Sequence, residues 1–277
     1  MLVDYREKAV LVTGGTKGIG LATGLAFAKR GARVTLTNKW GEADLAAIRA
    51  QFRDVGGLEP DIVTSDASSM DDTRATLARI KDRHGAPFAI VSNVAVAPVV
   101  RTLEDYAQRD LHRAIDYGAW PLAAHVLAAR EVCGELPRYV VGVSSAGAQA
   151  MHVNYDFAGV AKAALETLVR YLSHRLMQEG VRINVVSTRF VDTESLRATF
   201  GDEFTPFVRR YAADLFVSPQ AVGEAIYGVC SGLMDGMAGQ VLAADGGAAF
   251  ADGFSRFYRD FERGAFGGDL AAKGEAK

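Results

Sequence analysis

The stretch Thr13-Gly14-Gly15-Thr16-Lys17-Gly18-Ile19-Gly20 limits what this chain can fold into more than any other. It follows an apolar run, Ala9 to Thr13, that reads as a strand. It opens an amphipathic run, Gly18 to Arg30, that reads as a helix stopped by Gly31. Glycines at such a junction allow a tight turn and close approach of a ligand to the backbone. The helix start adds unpaired N–H groups and a positive dipole end, which suits a pyrophosphate. The spacing Gly14-x3-Gly18-x-Gly20 departs from G-x-G-x-x-G, so the turn alone also fits a plain glycine-rich bend. Its place between a first strand and a first helix favours the phosphate reading.

Further β-branched runs recur along the chain at 33–37, 62–64, 88–91, 139–143, 181–186 and 240–242. Helical patterns separate them at 42–52, 70–83, 103–117, 122–132, 157–178 and 218–230. Nearly continuous apolar strands alternating with helices predict an α/β fold, a doubly wound parallel sheet covered on both faces. The 277 residues suit one large domain, expected over 1–250, followed by a C-terminal extension over 251–277. That extension carries Phe254, Phe257, Tyr258 and Phe261 at helical spacing, which predicts packing against another surface.

Composition excludes several classes. Lys+Arg is 31 and Asp+Glu is 33, for a net charge of −2, which argues against nucleic acid as the main partner. The longest nearly apolar run, 88–100, is interrupted by Ser92, Asn93 and Pro98 and is too short to span a membrane. Cys133 and Cys230 are too few for a disulfide framework, and the N-terminus does not read as a signal peptide. A cytoplasmic, reducing location is the expectation. The five histidines show no ligand spacing, so no metal is assigned.

The motif Thr-Gly-Gly-x-x-Gly-Ile-Gly resembles the cofactor turn of the short-chain dehydrogenase/reductase family. Further likenesses fall in order: Asp66 after the third strand, Ser92-Asn93-Val94-Ala95 after the fourth, Arg182-Ile183-Asn184-Val185-Val186, and Asp245-Gly246-Gly247 near the end. The resemblance implies a single-domain Rossmann-type fold with seven strands, binding NAD(H) or NADP(H). It assigns to the cofactor Gly14, Thr16, Lys17, Gly18, Ile19, Gly20, Asn38, Lys39, Asp66, Ala67, Asn93, Val94, Lys162, Val191 and Thr193. Asp66 takes the adenine amino group in this scheme, and Thr193 the pyrophosphate or carboxamide. The second strand ends in Thr37-Asn38-Lys39-Trp40, with no acid to hold a ribose diol. Lys17, Lys39 and Thr37 together predict room for a 2′-phosphate, and so NADPH rather than NADH.

Counting back four residues from Lys162 reaches Ala158, which carries no chemistry; counting back seven reaches Tyr155. Tyr-x6-Lys resembles the enoyl-thioester reductase branch of the family, which includes the enoyl-acyl-carrier-protein reductases. It is similar also to biosynthetic enzymes of antibiotic producers, of the 1-cyclohexenylcarbonyl-CoA reductase type, which implies secondary metabolism. The chemistry needs a phenol aimed at an oxygen that gains charge, and a nearby ammonium that makes the phenol a better donor. Ser145 falls where ketone-reducing relatives keep a carbonyl-binding serine, so Tyr155, Lys162 and Ser145 form the candidate catalytic set. Asp116 falls where relatives often carry a proton-relay asparagine.

Arg189 replaces a glycine after the sixth strand, and either binds a substrate acid or points outward. Residues 194–217 are the expected substrate lid, and Leu196 and Phe200 join Tyr155 and Arg189 as candidate substrate contacts. His152, three residues before Tyr155, either touches substrate or is a solvated loop histidine, and the second reading is favoured. Two enzymatic readings stay open, an enoyl-thioester reductase and a ketoreductase on a polyketide or alicyclic ketone. A non-catalytic nucleotide-binding scaffold is the third. The family also implies a homotetramer or homodimer.

Overall fold

The structure is a computed structural model that describes residues 2–41, 43–250 and 253–263. Its elements, in order, are β1 (Ala9–Val12), α1 (Gly18–Ala28), β2 (Arg33–Asn38), α2 (Leu45–Asp54), β3 (Asp61–Thr64), α3 (Met70–His84) and β4 (Ala89–Ser92). There follow α4 (Gln108–Gly118), α5 (Trp120–Ala128), β5 (Tyr139–Ser145), α6 (Asp156–Leu176), β6 (Arg182–Thr188) and β7 (Phe190–Val191). The chain closes with α7 (Glu194–Phe200), α8 (Phe204–Ala212), β8 (Phe216–Val217), α9 (Pro219–Val229), β9 (Val241–Ala243) and α10 (Gly253–Glu262).

Seven strands pair in the order β3-β2-β1-β4-β5-β6-β9, every pair parallel. Side-chain alternation splits the core between the two faces of the sheet. Val10, Val12, Val34, Leu36 and Val141 pack on Phe27 of α1, Phe52 of α2 and Ile226 of α9. Leu11 and Ile90 pack on Leu77 and Ile80 of α3, while Val140 and Ile183 pack on Leu122 of α5 and Leu165 of α6. Each such side chain contributes about 1.5–3 kcal/mol on burial. The helices start where local caps allow: Ser69 Oγ accepts from Asp72 N ahead of α3, and Ser218 Oγ accepts from Ala221 N ahead of α9.

The predicted single helix over 103–117 is divided. Thr102 and Asp105 form a capping box that closes a short turn at Leu103–Asp105, and α4 begins only at Gln108. A two-stranded parallel pair, β7 with β8, was not foreseen; it registers Phe190 with Phe216 and Val191 with Val217. The aromatic extension does form a helix, α10, with Phe257, Tyr258 and Phe261 each more than 40% exposed; the Phe254 side chain lies outside what the structure describes. The rest of the extension, 264–277, and residues 251–252 lie outside the described residues. Among the described residues no helix is long and apolar enough to cross a membrane.

Candidate active site

Strand order reverses between β1 and β4, because the chain runs outward to β3 and then returns to the other side of β1. Such a switch point leaves a crevice beyond the carboxyl ends of the strands. Here it is a cleft of 620 Å³ lined by the glycine turn, the ends of β2, β4, β5 and β6, the start of α6, and α7.

The glycine turn is braced from β4. Asn93 Nδ2 donates to the carbonyls of Thr13 (3.1 Å) and Gly14 (3.0 Å), and the Asn93 N–H donates to Thr13 Oγ1 (3.0 Å). Gly14 and Gly18 adopt φ of 60° and 54°, which only glycine takes freely. A Cβ on Gly20 would stand 2.2 Å from the Gly14 carbonyl oxygen, so this third glycine serves the packing of turn on helix and does not line the cleft. Lys17, at the N-cap of α1, makes no side-chain cap bond, so the first-turn N–H groups have no capping side chain. A Cβ at Gly18 would sit 3.2 Å from Thr193 Cγ2, so the turn and the head of α7 already lie close. A dinucleotide pyrophosphate fits this cradle.

At the far end of the cleft, the two lysines expected to face a phosphate are already engaged. Lys17 Nζ pairs with Glu194 Oε2 at 2.5 Å. Lys39 pairs with Asp66 and donates to the Tyr117 hydroxyl at 2.6 Å, with its ammonium 4.6 Å from the Trp40 ring centroid. Asp66 therefore turns toward Lys39 and Ser68 and is not among the cleft-lining side chains; Ala67 is. Burial pushes the Asp66 carboxyl up, but the bonds from Lys39 and Ser68 outweigh it and hold it down at about 2.

Tyr155 precedes the first residue of α6, where Gly147 and Gly159 make its seat. A Cβ on Gly147 would meet the Tyr155 ring at 2.5 Å, and one on Gly159 would meet the Gly147 carbonyl at 2.7 Å. The other side of the phenol is covered by Phe200 of α7, nearly parallel at 12° with centroids 6.2 Å apart. Burial raises the Tyr155 pKa, and the Ser145 hydroxyl acts against that rise.

Lys162 lies 5% exposed on the same helix, and its ammonium donates to the Val143 carbonyl at 2.8 Å. No hydrogen bond joins it to Tyr155; among neighbouring side chains it is Ser145 that draws the phenol's pKa down against burial. Burial lowers the Lys162 pKa to about 8, opposed by the charge of Glu166 one turn on. Glu166 is buried and accepts from Ser144 Oγ (2.8 Å) and Gln149 Nε2 (3.2 Å). This carboxylate was missed in the sequence. Its signal was there: a charge four residues after Lys162, in step with Ala158, Ala161, Leu165 and Val169 on the buried face.

The ammonium form of Lys162 persists below pH 8 and is lost above it. With kcat/KM for the nicotinamide nucleotide as readout, activity is expected to fall about tenfold per pH unit once the pH exceeds the Lys162 value. Lys162→Arg, whose guanidinium stays charged, is expected to lose that alkaline limb.

Asp116 is exposed on α4. The α4–α6 contact near the lysine is made by Gly118, where a Cβ would press on Ala161 at 3.0 Å. Arg189, Leu196 and Phe200 line the substrate end together with His152. His152 is not a solvated loop side chain: it stacks on Phe190 at 5.8 Å and approaches Tyr155 at 6.0 Å. Among the described residues no three His, Cys, Asp or Glu side chains converge as metal ligands.

A family model described as Enoyl-(Acyl carrier protein) reductase matches residues 14–249. The chain is 28% identical over 248 residues to 1-cyclohexenylcarbonyl-CoA reductase of Streptomyces collinus, covering 87% of each protein. It is also 28% identical over 246 residues to cis-4-hydroxycyclohexanecarboxylate dehydrogenase of Sinomonas cyclohexanicum, covering 88% of this chain and 97% of that one. Among solved structures, levodione reductase superposes with a TM-score of 0.80 at 18% identity, over 90% of this chain and 100% of the other. That last likeness establishes the fold alone.

Proposed function

Because the chain belongs to the short-chain dehydrogenase/reductase family and is an oxidoreductase built around a nicotinamide nucleotide, we propose that it uses NADPH to reduce the C=C bond of an enoyl thioester, linked to CoA or a carrier protein. The observation that carries this reading is the seat of Tyr155. It stands at the head of α6, seven residues before Lys162, with its ring held between Gly147 and Phe200 and its hydroxyl on the cleft that the glycine turn shares.

The reduced nicotinamide, when bound, supplies the hydride. The chain's own residues then have separate tasks. The uncapped first turn of α1 and the backbone at Gly14 to Gly18 hold phosphate oxygens. Lys162, fixed by the Val143 carbonyl, presents its remaining N–H groups to a ribose. The Tyr155 hydroxyl donates to the thioester oxygen as charge gathers there, and Ser145 steadies the phenol as it loses proton density. Leu196 and Phe200 cover the acyl chain and keep water out. Thr37, Asn38 and Lys39 close the adenosine end without an acid, which admits a 2′-phosphate once Lys39 shares itself between Asp66 and the new anion.

A second reading has one observation in its favour. Ser145 within reach of Tyr155 is a pair able to hold a ketone oxygen, so ketone reduction uses the same cleft. Nucleotide oxidation followed with crotonyl-CoA, 1-cyclohexenylcarbonyl-CoA and acetoacetyl-CoA separates the two. Turnover of the enoyl thioesters is expected; turnover of the β-ketothioester alone would overturn the proposal. Binding without turnover of any of them would leave a nucleotide-binding scaffold. In the same assay NADPH should outperform NADH by about tenfold or more in kcat/KM, and Lys39→Ala should erase that preference. Equal use of both nucleotides by the unmodified enzyme would show that Lys39 holds no phosphate.

Self-association belongs to the same proposal. Leu127 on α5 and Val160 and Tyr171 on α6 are exposed apolar side chains on the outer surface, and a homodimer or homotetramer would cover them.

A further inference from the structure

Three cations of the cleft are ion-paired, Lys162 rests on the Val143 carbonyl with Glu166 one turn on, and one further cation stands apart. Lys17 pairs with Glu194, Lys39 with Asp66, and Arg197 with Asp192. Arg189, at the end of β6, has no carboxylate partner among the described residues. Its Nη1 donates to the Ala248 carbonyl at 2.7 Å, and its Nε is buried without a hydrogen-bond partner. An uncompensated, partly buried cation is costly unless a ligand supplies the counter-charge.

A second unsatisfied group stands beside it. His152 Nε2 is buried with no partner. The same Phe190 ring carries the Arg189 guanidinium at 5.4 Å and the His152 ring at 5.8 Å, so the two groups share one wall of the cleft. Burial and the nearby Arg189 charge both push the His152 pKa down, so this ring offers a hydrogen bond and no second charge. The phenol of Tyr155 is 6.0 Å from His152, ring centre to ring centre. Phe200 rests against both rings and lines the cleft with them.

We propose that Arg189 and His152 form a subsite for a carboxylate on a ring-bearing substrate, set beside the carbon that is reduced at Tyr155. The planar guanidinium matches a carboxylate, while Phe200 and Leu196, which line the same cleft, provide apolar surface for a cyclic body. This rests on the reading of the cleft as a reductase site, and it names the class of substrate that site takes: a cyclic acid rather than a plain neutral acyl chain.

The test measures binding and needs no turnover. Cyclohexanecarboxylate and cyclohexanecarboxamide are titrated calorimetrically into the full-length protein, with and without NADPH. The acid is expected to bind at least about tenfold more tightly than the amide. Arg189→Met should level the two while leaving NADPH affinity unchanged, and Arg189→Gln serves if the Met variant does not fold. Equal affinity for acid and amide in the unmodified protein, or no saturable binding of the acid, overturns the proposal. So does a variant that loses NADPH affinity while keeping the acid preference, since Arg189 would then belong to the nucleotide. Absence of enoyl reduction alongside intact acid preference would remove the proposed reaction and leave this subsite standing.

Discussion

Tyr155→Phe is expected to lower kcat by about 10²-fold or more, with nucleotide affinity and melting temperature unchanged. The substitution removes only the hydroxyl. The ring keeps its seat over Gly147 and its stack with Phe200, because both contacts are made by carbon atoms. What disappears is the donor that meets the developing negative charge, together with its partnership with Ser145. Single-turnover rates with excess enzyme isolate that step from product release. Rates equal to the parent enzyme would end the role assigned to the phenol, whichever substrate is used.

Gly20→Ala is expected to be the most damaging small change in the chain. Its methyl group would lie 2.2 Å from the Gly14 carbonyl oxygen and 2.7 Å from Asn93 Nδ2. Neither neighbour can yield, because Asn93 is bonded to the Thr13 and Gly14 carbonyls and these close the turn. Overpacking of this kind costs about 1–3 kcal/mol and, where backbone blocks backbone, more. A fall of several degrees in melting temperature and a loss of about 10- to 100-fold in nucleotide affinity are expected, read by calorimetry. Gly228→Ala is the control: it lies in α9 with no atom within 4 Å of the new methyl group, and should be neutral or mildly stabilising. A Gly20→Ala protein with full stability and full nucleotide affinity would show that the turn tolerates rearrangement.

The doubly wound sheet was legible because strands buried on both faces leave uninterrupted apolar runs, as in Val10-Leu11-Val12 and Val185-Val186. Other features depend on partners far away in the chain. Lys17 reads as a free phosphate ligand until α7 brings Glu194, 177 residues later, against it. Lys39 reads the same way until β3 places Asp66 beside it. The two-residue strands β7 and β8 are too short to carry an alternation, so their pairing left no trace. His152 looked like a loop residue because nothing local announces that Phe190 and Phe200 fold over it.

The pairing of Phe190 with Phe216 and of Val191 with Val217 closes the chain between them into a loop with a single stem. That loop has a small apolar centre of its own, formed by Phe190, Leu196 and Val208 with Phe200, Phe204 and Phe216. It touches the Tyr155 ring, yet it contributes no strand to the seven-stranded sheet. Segments of other lengths can therefore be spliced onto the same stem without retuning the scaffold beneath. Substrate choice in such a protein can drift through the outer part of this cassette, while its first residues, Val191 to Glu194, stay tied to the nucleotide cleft.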